Sequence, residues 1–426
     1  MTEGPRHEIV DLFRAPGELS FEARIAGRSK RVWLRSETAV TPPPDPALAA
    51  SLMLAMSNGG GTLTMRERVS PRLLRRQREY QAIQCTWSRA WSLGEEPLRE
   101  VEVSAPPRSP AERPRGRVAA FFSGGVDSWS TVLDNPDVTD LIFVRGHDLI
   151  SRVADHQALA DEVEKRLRGA AAELGLPLHV VDTNLRELSD PIMRWEPYNP
   201  SLLAAVALFF EPLFERVLIA TDTDHETQPP LGTARLVDHL WSTEQLEVVD
   251  DGGRFNREQR LRRIVSHPVV QKTLRVCWEN PGGAYNCGRC RKCMMTMISL
   301  EAFGQRELVR TFPAELDLDL LADFELTQPI ALVLWEDTLE TARAAGRPEL
   351  TQAVEPVAVR GRLNLGLPAS YRSRRQPQET QGSASTDPAD SPAGADAQAQ
   401  LETILNSRSW RLTAPLRRLG ALRRRR

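Results

Sequence analysis

The chain has little of what marks several classes of protein. No apolar run approaches the ~20 residues that cross a bilayer. The first residues, MTEGPRHEIVDLF, carry no apolar signal-peptide core, so a cytoplasmic protein is the expectation. Neither sign of charge prevails: 55 Lys and Arg against 57 Asp and Glu leave a net charge of -2, which gives no whole-chain argument for nucleic acid. Cysteine is scarce, five in 426 residues, too few for a disulfide scaffold. Two familiar nucleotide loops are missing. There is no G-x-x-x-x-G-K-[ST], hence no lysine placed to reach a γ-phosphate, and no G-x-G-x-x-G.

What is present reads as a soluble globular chain, 41% apolar and 26% charged, long enough for more than one domain. Residues 1–105 read as a small N-terminal α+β domain. FEARIAGRSKRVWLRSE suggests a hairpin. DPALAASLMLAM suggests a helix with Asp45 as its cap, and SPRLLRRQREYQAIQCTWSRAW a second helix with Ser70 as cap and Pro71 in its first position. Residues 106–116 form a Pro/Arg-rich connector. From 117 to 310 short apolar runs (VAAFF, LIFVRG, LHVVDT, VLIAT, LEVVD) alternate with helical patterns. That alternation predicts an α/β fold: a Rossmann-like, five-stranded parallel sheet with helices on both faces. Residues 311–371 read as a helical extension, 372–400 as a disordered linker, and 401–426 as a basic tail.

The stretch FFSGGVDSWS interrupts this alternation with a turn. Strand VAAFF runs into Ser123, Gly124, Gly125, Val126, Asp127 and Ser128, and a helix follows. Successive N–H groups converge at such a junction, the helix adds its positive dipole end, and glycine lets an anion touch backbone. The alternative is an ordinary Gly-rich strand-to-helix turn. Farther on, Cys277, Cys287, Cys290 and Cys293 gather four of the five cysteines. Four thiolates are the set that a closed tetrahedral Zn²⁺ takes, and Arg289, Arg291 and Lys292 favour the thiolate form. Buried or reactive thiols are the other reading.

The six residues 123–128 match the S-G-G-x-D-S signature and resemble the PP-loop ATP pyrophosphatase superfamily. The resemblance implies that ATP, with Mg²⁺, is cleaved at the α-phosphorus. The loop would hold the departing pyrophosphate, Asp127 would orient the loop or help place Mg²⁺, and the next strand end (Val144, Gly146, His147) would read adenine. Together with the cysteine spacing, the chain is similar over residues 117–305 to 7-cyano-7-deazaguanine synthases, which bind structural zinc. Arg257 stands where that family has a lysine. The loop ATDTDHETQ, with Asp222, Asp224 and His225, stands where it has a substrate loop, but without its tyrosine-proline-aspartate stretch.

The resemblance thus implies a divergent paralogue. It would be an AMP- and pyrophosphate-forming ligase that adenylates a carbonyl or carboxylate oxygen of an unidentified small-molecule acceptor for attack by nitrogen. The alternatives are a PP-loop sulfur-transfer enzyme and a non-catalytic nucleotide-binding docking module. The tail has eight arginines against one glutamate in its 26 residues and resembles the tails of some bacterial glycosyltransferases and methyltransferases. It is suited to an anionic surface or a partner protein. A homodimer is a further expectation.

Overall fold

The computed structural model of the chain describes residues 4–91, 97–109, 112–149, 154–230 and 232–368. The expected linker and basic tail lie outside the described residues.

The N-terminal part contributes β1 (Arg6–Ala15), β2 (Glu18–Ile25), β3 (Arg28–Ser36), α1 (Asp45–Ser57), β4 (Gly61–Met65), α2 (Pro71–Trp91) and β5 (Val101–Ser104). The β2–β3 turn places Ala26 and Gly27 at φ 53° and 73°, the left-handed pair of a tight two-residue hairpin turn. Ser70 caps α2, its Oγ accepting from Leu73 N at 3.0 Å. Asp45 does not cap α1. Its carboxylate is fully buried and accepts from Ser70 N at 2.8 Å, joining the two helix starts, and Pro44 precedes α1 without a side-chain cap.

The alternating part follows as β6 (Val118–Phe121), α3 (Val126–Asp134), β7 (Asp140–Arg145), α4 (Ala154–Leu174), β8 (Leu178–Thr183), α5 (Leu185–Ser189), α6 (Trp195–Phe209), β9 (Arg216–Ala220) and β10 (Glu247–Asp251). After them come α7 (Arg257–Ile264), α8 (Pro268–Thr273), α9 (Arg291–Ala302), α10 (Pro329–Ala344) and α11 (Pro348–Asn364).

The expectation of a five-stranded sheet is corrected. The fold is α/β, but its sheet is mixed and has ten strands, in the order β10-β9-β6-β7-β8-β3-β2-β1-β4-β5. Strands β10, β9, β6, β7 and β8 run parallel. Beyond them β3 pairs antiparallel with β8, matching Leu34 with Thr183 and Ser36 with Val181. A free β8 edge would expose a row of unpaired N–H and C=O groups, and the β2–β3 hairpin covers it. Asn184 fixes the junction: its Oδ1 accepts from Trp33 N at 2.9 Å and its Nδ2 donates to Arg31 O at 3.0 Å. One apolar core therefore runs beneath both parts, from Phe21 and Leu34 to Val181, Phe209 and Val217.

On the other face α3, α4, α7 and α8 cover the parallel strands. Trp129 of α3 is fully buried and meets Phe122 edge-on at 4.7 Å, which pins the start of α3 above β6. A pair of this geometry adds about 0.5–1.5 kcal/mol beyond its burial. A third core joins Met294, Met295 and Ile298 of α9 to Leu332, Trp335 and Val354 of α10 and α11. No helix among the described residues is long and apolar enough to cross a membrane.

Candidate functional site

Among the parallel strands, construction starts at β6, proceeds through β7 to β8, then resumes on the other side of β6 with β9 and β10. Loops leave neighbouring strands in opposite directions there and open a crevice at the carboxyl ends. A cavity of about 380 Å³ occupies it, floored by Phe121, Ile142, Val144 and Ile219.

The phosphate-type turn forms one wall, through Ser123, Gly125, Asp127 and Ser128. Gly124 sits just behind it at φ 77°, where an added Cβ would lie 3.0 Å from Leu167 Cδ2 and 3.3 Å from Thr273 O. That conformation and that closeness both require glycine. Gly125 is the N-cap of α3. Ser123 Oγ accepts from Gly125 N at 3.3 Å, and Ser128 Oγ accepts from Ser123 N at 3.3 Å. Among the described residues, the N–H groups of Gly124, Val126, Asp127 and Ser128 meet no protein acceptor. These are the orphan donors of a helix start, and an anion is the natural acceptor for them.

Asp127 does not face this wall alone. Its Oδ2 pairs with Arg257 Nη1 at 2.7 Å and its Oδ1 with Arg260 Nη1 at 2.9 Å. Burial pushes its carboxyl up, but the two guanidinium groups, with Lys292, outweigh burial and hold it below the ordinary carboxylate range. Arg257 stands in the first position of α7, after an Asn256 capping box with Gln259, and it lines the cavity. Arg260, one turn on, is fully buried and also donates to the carbonyls of Thr221, Thr223 and Gly252. Sequence reading named Arg257 and missed Arg260. The signal was there, an i, i+3 pair on one helical face.

The other expected residues divide. Val144 and His147 line the cavity. His147 Nε2 is 2.7 Å from Asn199 Oδ1 and its Nδ1 is 3.0 Å from Asp148 Oδ1, while its ring meets Trp195 edge-on. It is a held side chain rather than a loose surface histidine. Gly146 lies off the cavity. At φ 85° its added Cβ would be 2.0 Å from Thr183 O, so its glycine serves the close approach of β7 to β8. Asp222 is exposed at the cavity mouth, and partial desolvation raises its carboxyl, against the pull of Lys292. Asp224 turns inward and caps its own loop, accepting from Glu226 N at 2.9 Å and Thr227 N at 3.0 Å. His225 packs outward near Arg235, its N–H bonded to Gly253 O.

Three contributors were not legible beforehand. Arg275 lines the cavity beside the phosphate-type turn. Trp195 and Glu196 arrive from α6, and Ile330, Leu334 and Trp335 from α10. The helical extension therefore closes the apolar end of the cavity.

The four cysteines come together as expected. Their sulfurs lie within 4.8 Å of one another, with Cys277 to Cys290 and Cys287 to Cys293 both 3.9 Å. A tetrahedron with bonds of about 2.3 Å has edges of about 3.8 Å, so the set fits one Zn²⁺. Backbone N–H groups of Asn280, Arg289, Cys290 and Cys293 approach the sulfurs at 3.3–3.5 Å, the partners a thiolate needs. Cys290 also caps α9. Cys85 is buried in α2, apart from the cluster, its thiol pushed up to about 11 by burial. The four-cysteine cluster could hold a metal ion such as zinc. Comparison with protein-family models, with curated proteins and with solved structures finds no match to this chain.

Proposed function

We propose that the chain is an ATP-dependent enzyme that forms AMP and pyrophosphate. It would adenylate a carbonyl or carboxylate oxygen of a small acceptor and pass the activated carbon to a nitrogen nucleophile. The observation that carries this reading is the set of orphan N–H donors at the start of α3, facing a cavity at the point where strand order reverses.

In the first step an acceptor oxygen attacks the α-phosphorus. The bond from that phosphorus to the bridging oxygen breaks, and pyrophosphate leaves with the electron pair. Charge grows on the leaving group, so fixed donors aimed at it stabilise the transition state more than the ground state. The N–H groups of Gly124, Val126, Asp127 and Ser128 and the Ser123 and Ser128 hydroxyls would supply those donors. Arg257 adds charge while Asp127 keeps its guanidinium in place. Asp222 is one of the carboxylates lining the cavity and would hold Mg²⁺. In the second step the nitrogen attacks the activated carbon, AMP departs with its oxygen, and the nitrogen loses a proton to water. Val144 and His147 lie where the base would rest. Trp195, Trp335 and Leu334 give the acceptor a largely apolar end.

The four cysteines would hold a zinc ion with no open ligand position, and such an ion would brace the segment between α8 and α9. Cys277 also borders the cavity. That single observation favours the sulfur-transfer reading, which would require a sulfur donor and a labile or absent metal.

The test is incubation of the full chain with ATP, Mg²⁺, ammonia and pooled small carboxylic acids, followed by ³¹P NMR. AMP and pyrophosphate are expected. Release of ADP and orthophosphate overturns the reading.

A further inference from the structure

Arg275 is a buried cation whose charge reaches Asp148, a carboxylate of the same cavity, without forming an ion pair with it. It is 5% exposed, makes no ion pair among the described residues, and its Nε has no hydrogen-bond partner. A guanidinium does not shed its proton under ordinary conditions, so it cannot relieve burial by becoming neutral. Its one side-chain bond is from Nη2 to Asn280 Oδ1, at 3.0 Å. Its backbone grips the phosphate-type turn: Arg275 N donates to Gly124 O at 2.9 Å, and Arg275 O lies 3.6 Å from where a Gly125 Cβ would stand. The side chain lines the same cavity as the orphan N–H donors.

Asn280, which holds the guanidinium, is tied to the cysteine cluster. It is 2% exposed and takes a left-handed conformation with φ 44°. Its N–H lies 3.3 Å from Cys277 Sγ. On the other side of the same cysteine, Asn286 Oδ1 accepts from Val276 N at 2.9 Å and Cys277 N at 3.2 Å. Cys277, which would ligate a bound metal, is thus two positions from Arg275 and one hydrogen bond from its anchor.

We infer that Arg275 is a binding residue for the pyrophosphate portion of the nucleotide, and that the four-cysteine centre sets its guanidinium through Asn280. The inference rests on the proposed nucleotide reaction for the identity of its anion. A bidentate guanidinium opposite a row of N–H donors closes the second side of a phosphate cradle. A buried cation with no contact ion pair among the described residues then explains how a loop without a lysine would hold a highly charged group. A metal held by the four cysteines would, beyond bracing a segment, fix the angle of that cation.

The experiment uses the zinc-loaded full chain, with sodium pyrophosphate and ATP as titrants in calorimetry. Arg275→Met should weaken pyrophosphate binding about ten- to a hundredfold. Zinc content should be unchanged, and Arg275→Lys should recover part of the loss. Asn280→Gly keeps the left-handed backbone and removes the tether, together with the Nδ2 bond to Trp278 O. It should weaken pyrophosphate about fivefold, again with zinc retained. It also serves if Arg275→Met is insoluble. Unchanged pyrophosphate affinity in a folded Arg275→Met, or in Asn280→Gly, overturns the inference even if wild type turns ATP into AMP. Conversely, Arg275-dependent pyrophosphate binding without any AMP formation retains the anion site and removes the proposed reaction.

Discussion

Arg260 Nη1 reaches Asp127 Oδ1 at 2.9 Å, joining a fully buried side chain of α7 to the first turn of α3. The same guanidinium holds the carbonyls of Thr221 and Thr223 after β9 and of Gly252 after β10. One residue therefore ties together the three loops that meet at the cavity. Removing it would leave those carbonyls without their donor, while Asp127 keeps its pair with Arg257.

Arg260→Met should lower the unfolding free energy by about 1–3 kcal/mol. Urea denaturation measures it. Arg257 still pairs with Asp127 in that variant, so a loss below about 1 kcal/mol would mean that the three loops are held by other contacts.

Gly125→Val should abolish ATP binding while circular dichroism stays native. The new side chain would stand at the N-cap of α3, against Ser123 Oγ at 3.2 Å, in the space an anion needs. Unchanged ATP affinity in calorimetry would remove the phosphate role of the turn.

Arg257→Ala should reduce kcat/KM about 10²–10³-fold, the usual loss when one donor to a developing charge is removed. Arg260 continues to hold Asp127, so the melting temperature should fall only slightly. Equal losses in stability and rate would reassign Arg257 to a structural role.

Cys290→Ser should lose zinc, because a tetrahedral site tolerates no missing thiolate, and α9 loses its cap as well. Elemental analysis and a melting scan give the readout. Cys85→Ser should keep full zinc content. Iron in the wild-type protein, or zinc retained in Cys290→Ser, would favour sulfur transfer.

Stability should decline as pH rises from about 4 to above 7. Burial first, then Glu211, lifts the Asp45 carboxyl to about 7 despite Arg108. Burial likewise lifts Asp250 and Glu258 to about 7. In the unfolded chain these groups titrate near 4. Between the two values the folded state binds more protons, so stability is fully present below about 4 and is lost as pH passes through 7. Glu258→Gln keeps the bond from Thr338 Oγ1 and should flatten the slope of melting temperature against pH. An unaltered slope would show that Glu258 titrates normally.

Much of the local architecture followed from sequence alone. The five apolar runs VAAFF, LIFVRG, LHVVDT, VLIAT and LEVVD fall on the five parallel strands β6 to β10; the central β6, β7 and β9 are the most buried and the most apolar, as burial on both faces requires, while β8 and β10 are only partly buried. Ser123–Ser128 fall on a strand-to-helix turn and the four cysteines on one cluster, because both depend on short spacings along the chain. Ser70 capped its helix for the same reason.

What required tertiary structure lies at long separation. The β3–β8 pairing joins residues about 150 apart and turned an expected five-stranded sheet into one of ten. Asp45 left its cap because Ser70 N and Arg108 met it from other elements. Arg275 and α10 entered the cavity through folding back of the C-terminal third, which no periodicity announces. A spacing motif records which groups sit near each other on the chain. Burial of apolar faces and pairing of backbone edges decide which distant groups meet, and those are properties of the whole fold.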